Sequence, residues 1–218
     1  MVRSVRTPRE EARKARTGVY RRHILEAAEQ VFAARGFEAA KLQDISATAG
    51  LSMGTIYSIF PGKNELFDAL VAMRGQELLA VARAATDARR PSREALLALG
   101  DAYLTYLVEH PDFLRMQLGA SASWAIGPAS TPARMEFWRE IHALQADVFR
   151  RGVASGVFVD EDPAFLAKLF SAIDEVLLAD WVAGGMRADR AALSARLRVL
   201  LERSFCADRA TTRTKRAS

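Results

Sequence analysis

A single cysteine, Cys206, stands in 218 residues. One thiol excludes an intrachain disulfide framework and any cysteine-rich zinc site, and it suits a reducing compartment. The three histidines, His23, His110 and His142, show no His-x3-His or His-Glu-x2-His spacing for a metal. The chain also lacks a Gly-x-Ser-x-Gly elbow and a glycine-rich phosphate loop, so no metal, no cofactor and no catalytic site are expected. No run reaches the roughly 18 consecutive apolar residues of a membrane span, because Asp174, Glu175 and Asp180 interrupt the most apolar late stretch. The basic N-terminus lacks the apolar core of a secretory signal, and Glu10 and Glu11 fit poorly with an acid-poor transit peptide. A cytoplasmic protein without a membrane partner is the expectation. Seven prolines and thirteen glycines are too few for a fibrous or low-complexity chain. With 50% hydrophobic residues, the chain has the composition of a globular protein.

What is present is unevenly charged. Residues 1–22 carry eight basic side chains against two acidic ones, and 206–218 carry four against one. The whole chain is at +5, so the 183 residues between are at −4. A basic arm on an acidic body is the asymmetry of a chain whose end meets a polyanion. Residues 1–16 read as a disordered basic arm. The Thr- and Arg-rich tail 206–218 reads more simply as solvated and disordered.

Helical periodicity organises the rest. Ile24, Leu25, Ala28, Val31 and Phe32 mark one face of a helix from about Thr17 to Arg35, closed by Gly36. Leu42, Ile45 and Ala49 mark a short second helix, broken at Gly50, and Ser52 caps a third over Met53 to Phe60. Pro61-Gly62 ends it, and a fourth helix starts near Lys63. Two helices joined by a short glycine-containing turn form a helix-turn-helix. Beyond Arg89-Arg90-Pro91-Ser92, apolar residues cover almost the whole circumference of 94–109, as in a helix at the centre of a bundle. Further helices are expected from Pro111, over 132–151 to Gly152, over 163–183 after an Asp160 or Asp162 cap, and over 189–205. No period-2 strand has turn signals at both ends. The reading is all-α, about nine helices: a helix-turn-helix domain over 17–64 and a helical regulatory and dimerisation domain over 65–205.

On the third helix each residue turns by about 100°. With Ile56 inward, Ile59 and Phe60 share its side, while Gly54 and Ser58 face away, flanked by Thr55 and Tyr57, with Met53 at the edge. A face of small and hydroxyl-bearing residues can approach a major groove closely and bond to phosphates or base edges.

The segment 21–66 closely resembles the N-terminal domain of the tetracycline-repressor-like (TetR) family of transcriptional regulators. The features in register are Ile24-Leu25-x-Ala27-Ala28, Phe32, Gly36-Phe37, Asp44-Ile45, Ala49-Gly50-Leu51-Ser52, Gly54-Thr55-Ile56-Tyr57, Phe60 and Lys63-x-x-Leu66. The resemblance implies that Ser52 caps the recognition helix and contacts phosphate. It further implies that Met53, Thr55 and Ser58 face base edges or groove walls, that Tyr57 and Lys63 bind phosphate, and that Gly54 permits close approach. Two positions depart from the pattern. Ala40-Lys41 stands where relatives often open the second helix with Thr or Ser, leaving Lys41 to supply that phosphate contact as a charge, and Ile59 stands where they often have His.

The same resemblance implies a two-fold homodimer joined through its last two helices. The candidate interface is Leu166, Leu169, Phe170, Ile173, Leu177 and Trp181, with Phe165, Ala172 and Val176 beside this stripe, together with Leu193, Leu197, Leu200 and Leu201. It also implies an effector pocket in the middle helices, where Tyr103, Tyr106, Phe113, Met116, Phe137, Trp138, His142 and Phe149 are candidates and Trp124, on the loop 119–131, a lid. Such a set at helical spacing serves equally as plain core. The function implied is a ligand-responsive regulator, a repressor that binds a palindromic double-stranded DNA operator and is released by a small hydrophobic or amphipathic molecule. The competing classes are an architectural, ligand-independent DNA binder and an enzyme using the helical pocket.

Overall fold

The computed structural model describes residues 7–119 and 132–207. Among them the chain forms nine helices: α1 (Pro8–Ala39), α2 (Leu42–Ala49), α3 (Met53–Ile59), α4 (Lys63–Ala85), α5 (Ser92–Glu109), α6 (Pro111–Leu118), α7 (Pro132–Ala154), α8 (Pro163–Ala183) and α9 (Arg190–Phe205). The fold is all-α, and its one β feature among the described residues is an isolated antiparallel bridge, Phe158 with Cys206. The chain divides into two compact units, Met1–Val71 and Ala72–Ser218.

Local chemistry fixes most helix ends. Pro111 and Pro163 open α6 and α8, where the missing N–H is not needed and φ is already helical. Asp162 accepts from the N–H groups of Ala164 and Phe165 at the start of α8, and Asp189 from Ala192 at the start of α9. The largest departure from the sequence reading is α1, which starts at Pro8 rather than near Thr17 and so includes half of the expected arm. Residues 9–16 are Arg, Glu, Ala and Lys, good helix formers that carry no apolar stripe, so periodicity could not reveal them. Gly36, at φ 74 and ψ 163, breaks α1 where the sequence places its end, and one further turn follows.

In the first unit the core is Ile24, Leu25, Ala28 and Phe32 of α1 with Ile45, Ile56, Phe60, Leu66 and Leu70. Phe32, Phe37 and Phe67 form a ring cluster with centroids 4.8 to 5.6 Å apart. In the second unit α5 lies among α6, α7, α8 and α9, which explains its apolar residues on nearly all sides. Phe149, Phe158, Phe170 and Phe205 form a buried aromatic centre. After α9 the chain pairs with the loop before α8, Val159 N–H donating to Phe205 O and Ala207 N–H to Val157 O. Cys206 and Ala207 are thus in the bridge, while 208–218 of the expected tail lie outside the described residues.

Candidate nucleic-acid interface and regulatory unit

The helix-turn-helix is held from three directions. Gly50, at φ 62 and ψ 28, takes the left-handed conformation that ends α2 without steric cost. Leu51 N–H donates to Ser46 O, and the Ser46 hydroxyl donates back to Leu51 O. His23 of α1 bonds through Nε2 to Ala49 O at 2.9 Å, fixing the turn against the first helix. Ile56 and Phe60 are buried, which sets the rotation of α3.

With α3 so placed, Gly54, Tyr57 and Ser58 are exposed and Met53 and Thr55 half-buried, the orientation deduced from helical geometry. Ser52 is the N-cap: its Oγ accepts from Thr55 N–H at 3.1 Å and shares a hydrogen bond with Thr55 Oγ1. The Ser58 hydroxyl donates to Thr55 O at 2.7 Å, so it keeps lone pairs but no free proton for a partner in this rotamer. Tyr57 is 52% exposed, with its ring in solvent. Lys41 is exposed at the N-cap of α2 with no side-chain cap bond, and Asp44 accepts instead from the Lys41 backbone N–H while pairing with Arg35 at 2.7 Å.

Lys63 departs from its expected role. Its Nζ donates to Phe37 O, Glu38 O and Ala40 O at 2.7, 3.1 and 3.2 Å and lies 4.5 Å from the centre of the Phe37 ring. An ammonium has three donors, and all three here satisfy carbonyls at the end of α1. Lys63 joins α1 to α4 rather than offering a charge to phosphate. Besides Lys41, exposed cations lie on α1, at Arg9, Lys14, Arg16, Arg21 and Arg22, with the Arg21 guanidinium 4.7 Å from the centre of the Phe60 ring.

Residues 24–70 match the family model for bacterial regulatory proteins of the tetR family. The match lies within the N-terminal unit and takes in its helix-turn-helix. No curated protein sequence matches it. Among solved structures, a bacterial regulatory protein in the tetR family from Rhodococcus RHA1 is 22% identical, with 87% of this chain and 98% of that one covered at a TM-score of 0.71. FadR from Bacillus subtilis, in complex with stearoyl-CoA, is 19% identical, covering 82% and 96% at 0.70. A candidate transcriptional regulator from Saccharomonospora viridis in complex with choline is 23% identical, covering 86% and 98% at 0.69. At these identities the likeness establishes the fold.

In the second unit, Tyr103, Tyr106, Phe113, Met116, Phe137 and Phe149 are buried and Trp138 and His142 half-buried; Trp124 lies outside the described residues. The residues do not form one wall. Tyr106 stacks on His110 at 4.2 Å and donates to Glu77 Oε2 at 2.8 Å. Phe137 lies so close to Gly75 that a Cβ there would be 2.7 Å from the ring. Phe149 belongs to the aromatic centre. Burial, with the charge of Lys168, lowers the His142 imidazole's pKa and favours its neutral form.

Sequence reasoning missed the polar residues among these rings. Asp174 of α8 is buried with Oδ1 unbonded, and burial holds its carboxyl well above the usual range. Tyr103's hydroxyl faces Gln145 and Asp174 without a partner at bonding geometry, and burial, with Asp174, pushes this phenol up. Ser171 donates to Gln145 at 3.1 Å. The available signal was the spacing of Asp174 from Phe170 and Ala167, four and seven residues earlier on the inward stripe.

The candidate interface also needs correction. Leu166, Phe170, Leu177, Leu193, Leu197 and Leu201 are buried within the protomer and offer no surface to a second chain. Ile173 and Trp181 are half-buried, and the Trp181 indole donates to Ala188 O. On α8 and α9 the large apolar residues in solvent are Phe165, Leu169, Val176, Val199 and Leu200, so of the candidates Leu169 and Leu200 are outward, together with Phe165 and Val176 from beside the stripe. Both sides of α8 are apolar, and its inward side carries most of the expected interface.

Among the described residues no helix is long and apolar enough to cross a membrane, and no three His, Cys, Asp or Glu side chains are grouped to hold a metal ion.

Proposed function

We propose that the chain is a ligand-responsive transcriptional regulator, a repressor that binds a palindromic operator as a homodimer and is released by a small hydrophobic or amphipathic effector. The observation that carries the reading is the outward face of α3. Met53, Gly54, Thr55, Tyr57 and Ser58 stand on a helix whose opposite side is fixed by Ile56 and Phe60, and Ser52 begins it. This face enters the major groove, with Gly54 against the groove wall, Thr55 and Met53 at base edges, and Tyr57, Ser52 and Lys41 at phosphates. Residues 17–64 are the reading head; the exposed cations of α1, with the rest of 1–16, add the phosphate attraction that the near-neutral head lacks.

A second copy docks on the outward apolar face of α8 and α9, placing two recognition helices roughly 34–36 Å apart, one turn of DNA. Residues 65–205 hold the effector, and FadR with stearoyl-CoA and the Saccharomonospora protein with choline support a small-molecule ligand on this fold. Moving such a protein from almost fully bound to almost fully released takes an effector that discriminates two states by about 5.5 kcal/mol.

Footprinting the purified protein on DNA flanking its own gene, at two salt concentrations, tests the reading. A protected palindrome with half-sites one helical turn apart is expected. Sequence-indifferent, salt-labile binding alone would make the protein an architectural DNA binder instead.

A further inference from the structure

The core of the second unit contains more polar chemistry than its packing needs. On α8 the inward side runs Leu166, Ala167, Phe170, Ser171, Asp174, Leu177 and Leu178, so a carboxyl occupies a position where hydrocarbon would complete the stripe. Asp174 is 5% exposed and its Oδ1 has no hydrogen-bond partner. Beside it, the Tyr103 hydroxyl of α5 is also unbonded, and Ser171 holds Gln145 of α7 at 3.1 Å. Gln117 of α6, a helix packed on α8, is 3% exposed with neither amide atom bonded. Buried polar groups are nearly always paired, so several unmet ones in one unit require an explanation.

Among the described residues no ion pair includes Asp174. Of the titratable groups on the helices around α8, Tyr103 of α5 is the one set beside Asp174, while Lys168, exposed on α8 itself, acts on His142 of α7. Arginines of this unit pair with other carboxylates, among them Arg83–Glu140, Arg93–Glu202, Arg150–Asp147 and Arg196–Asp180, all partly or fully exposed. The rings of Tyr103 and Phe149 both meet Phe170, at 5.9 and 6.3 Å. Aromatic faces attract cations, and a carboxylate set among them complements a positive nitrogen on an apolar body. An anionic ligand or an alcohol supplies no positive charge, so either leaves the buried carboxyl in its neutral form, whereas an ammonium stabilises its ionised form.

We propose that Asp174, with Tyr103 and Gln145, forms a cation-accepting subsite, so that the effector is an amphiphile bearing an ammonium group. This rests on the effector-released regulator of the preceding section. Binding draws the proton off Asp174, so below the carboxyl's pKa the affinity for a quaternary ammonium rises about tenfold per pH unit.

The test is calorimetric titration of the full chain with three probes of equal chain length: decyltrimethylammonium, decan-1-ol and decanoate. The ammonium is expected to bind at least tenfold tighter than the others and to gain affinity from pH 5 to 8; Asp174→Asn removes both the preference and the pH dependence. If Asp174→Asn does not fold, the probe ranking and pH profile of the wild-type chain decide alone. Absent binding of decyltrimethylammonium, equal binding of decan-1-ol, or an Asp174→Asn protein that folds and keeps the preference overturns the subsite. Release of the footprinted operator is measured separately. Release by decan-1-ol or decanoate, without binding of the ammonium, rejects the subsite and keeps the regulator. Tight, Asp174-dependent ammonium binding with no effect on DNA keeps the subsite and rejects the regulator.

Discussion

Gly54 has no task inside its own domain. Its φ is not positive, and a Cβ built on it would meet nothing nearer than Ser52 Oγ at 3.8 Å. Glycine in a helix costs up to about 1 kcal/mol relative to alanine. Gly54→Ala is therefore expected to raise the melting temperature slightly in a thermal scan, while operator affinity in a fluorescence-anisotropy titration falls at least tenfold. An alanine variant with unchanged operator affinity would remove Gly54 from the groove. At this scale the outward face of α3 was legible, because a known period and one inward residue, Ile56, determine which side chains face out. Lys63 was not. Its partners, the carbonyls of Phe37, Glu38 and Ala40, lie 23 to 26 residues away, and local sequence says nothing of where a long side chain finds its acceptors. The spacing of Asp174 from Phe170 and Ala167 places it on one stripe of α8, but that this stripe is the buried one follows from helices that pack on α8 from elsewhere in the chain.

Elements were legible where they announce their ends. Ser52, Asp162 and Asp189 cap as their positions suggest, and Pro111 and Pro163 open their helices. The start of α1 was hidden because helix propensity without an apolar stripe leaves no period to read. Its helical form alters the picture of the basic arm: Arg9, Lys14 and Arg16 are carried on a continuation of the helix that packs on the helix-turn-helix, rather than on free chain. Charges held on a helix reach fewer phosphates than a flexible arm, but they are already ordered before binding. Deleting residues 1–16 is expected to weaken operator binding and to lower the log-log salt slope by about 0.9 for each phosphate that is no longer neutralised. A slope that stays the same in titrations at low and at physiological salt would show that these cations touch no phosphate.

For the molecule as a whole, the decisive ambiguity was α8, apolar on two sides, where composition indicates a partner for each side but not which partner. Burial resolves it. Leu166, Phe170 and Leu177 complete the protomer's core, and Phe165 and Val176, 53% and 70% exposed, are left in solvent with Leu169 between them and Val199 and Leu200 on α9. Exposed apolar residues grouped on two helices mark an association surface. A double Phe165→Glu, Val176→Glu variant should keep the monomer's stability within about 0.5 kcal/mol, as exposed sites do. It should run as a monomer in analytical ultracentrifugation and protect single half-sites only weakly. Leu197→Ala, by contrast, opens the core and should cost about 2–5 kcal/mol of folding stability. If the double variant sediments as a dimer, the two-fold contact lies elsewhere on the chain. If it is monomeric yet occupies the full palindrome at wild-type affinity, dimerisation contributes nothing to operator recognition, and paired reading heads cease to explain the function.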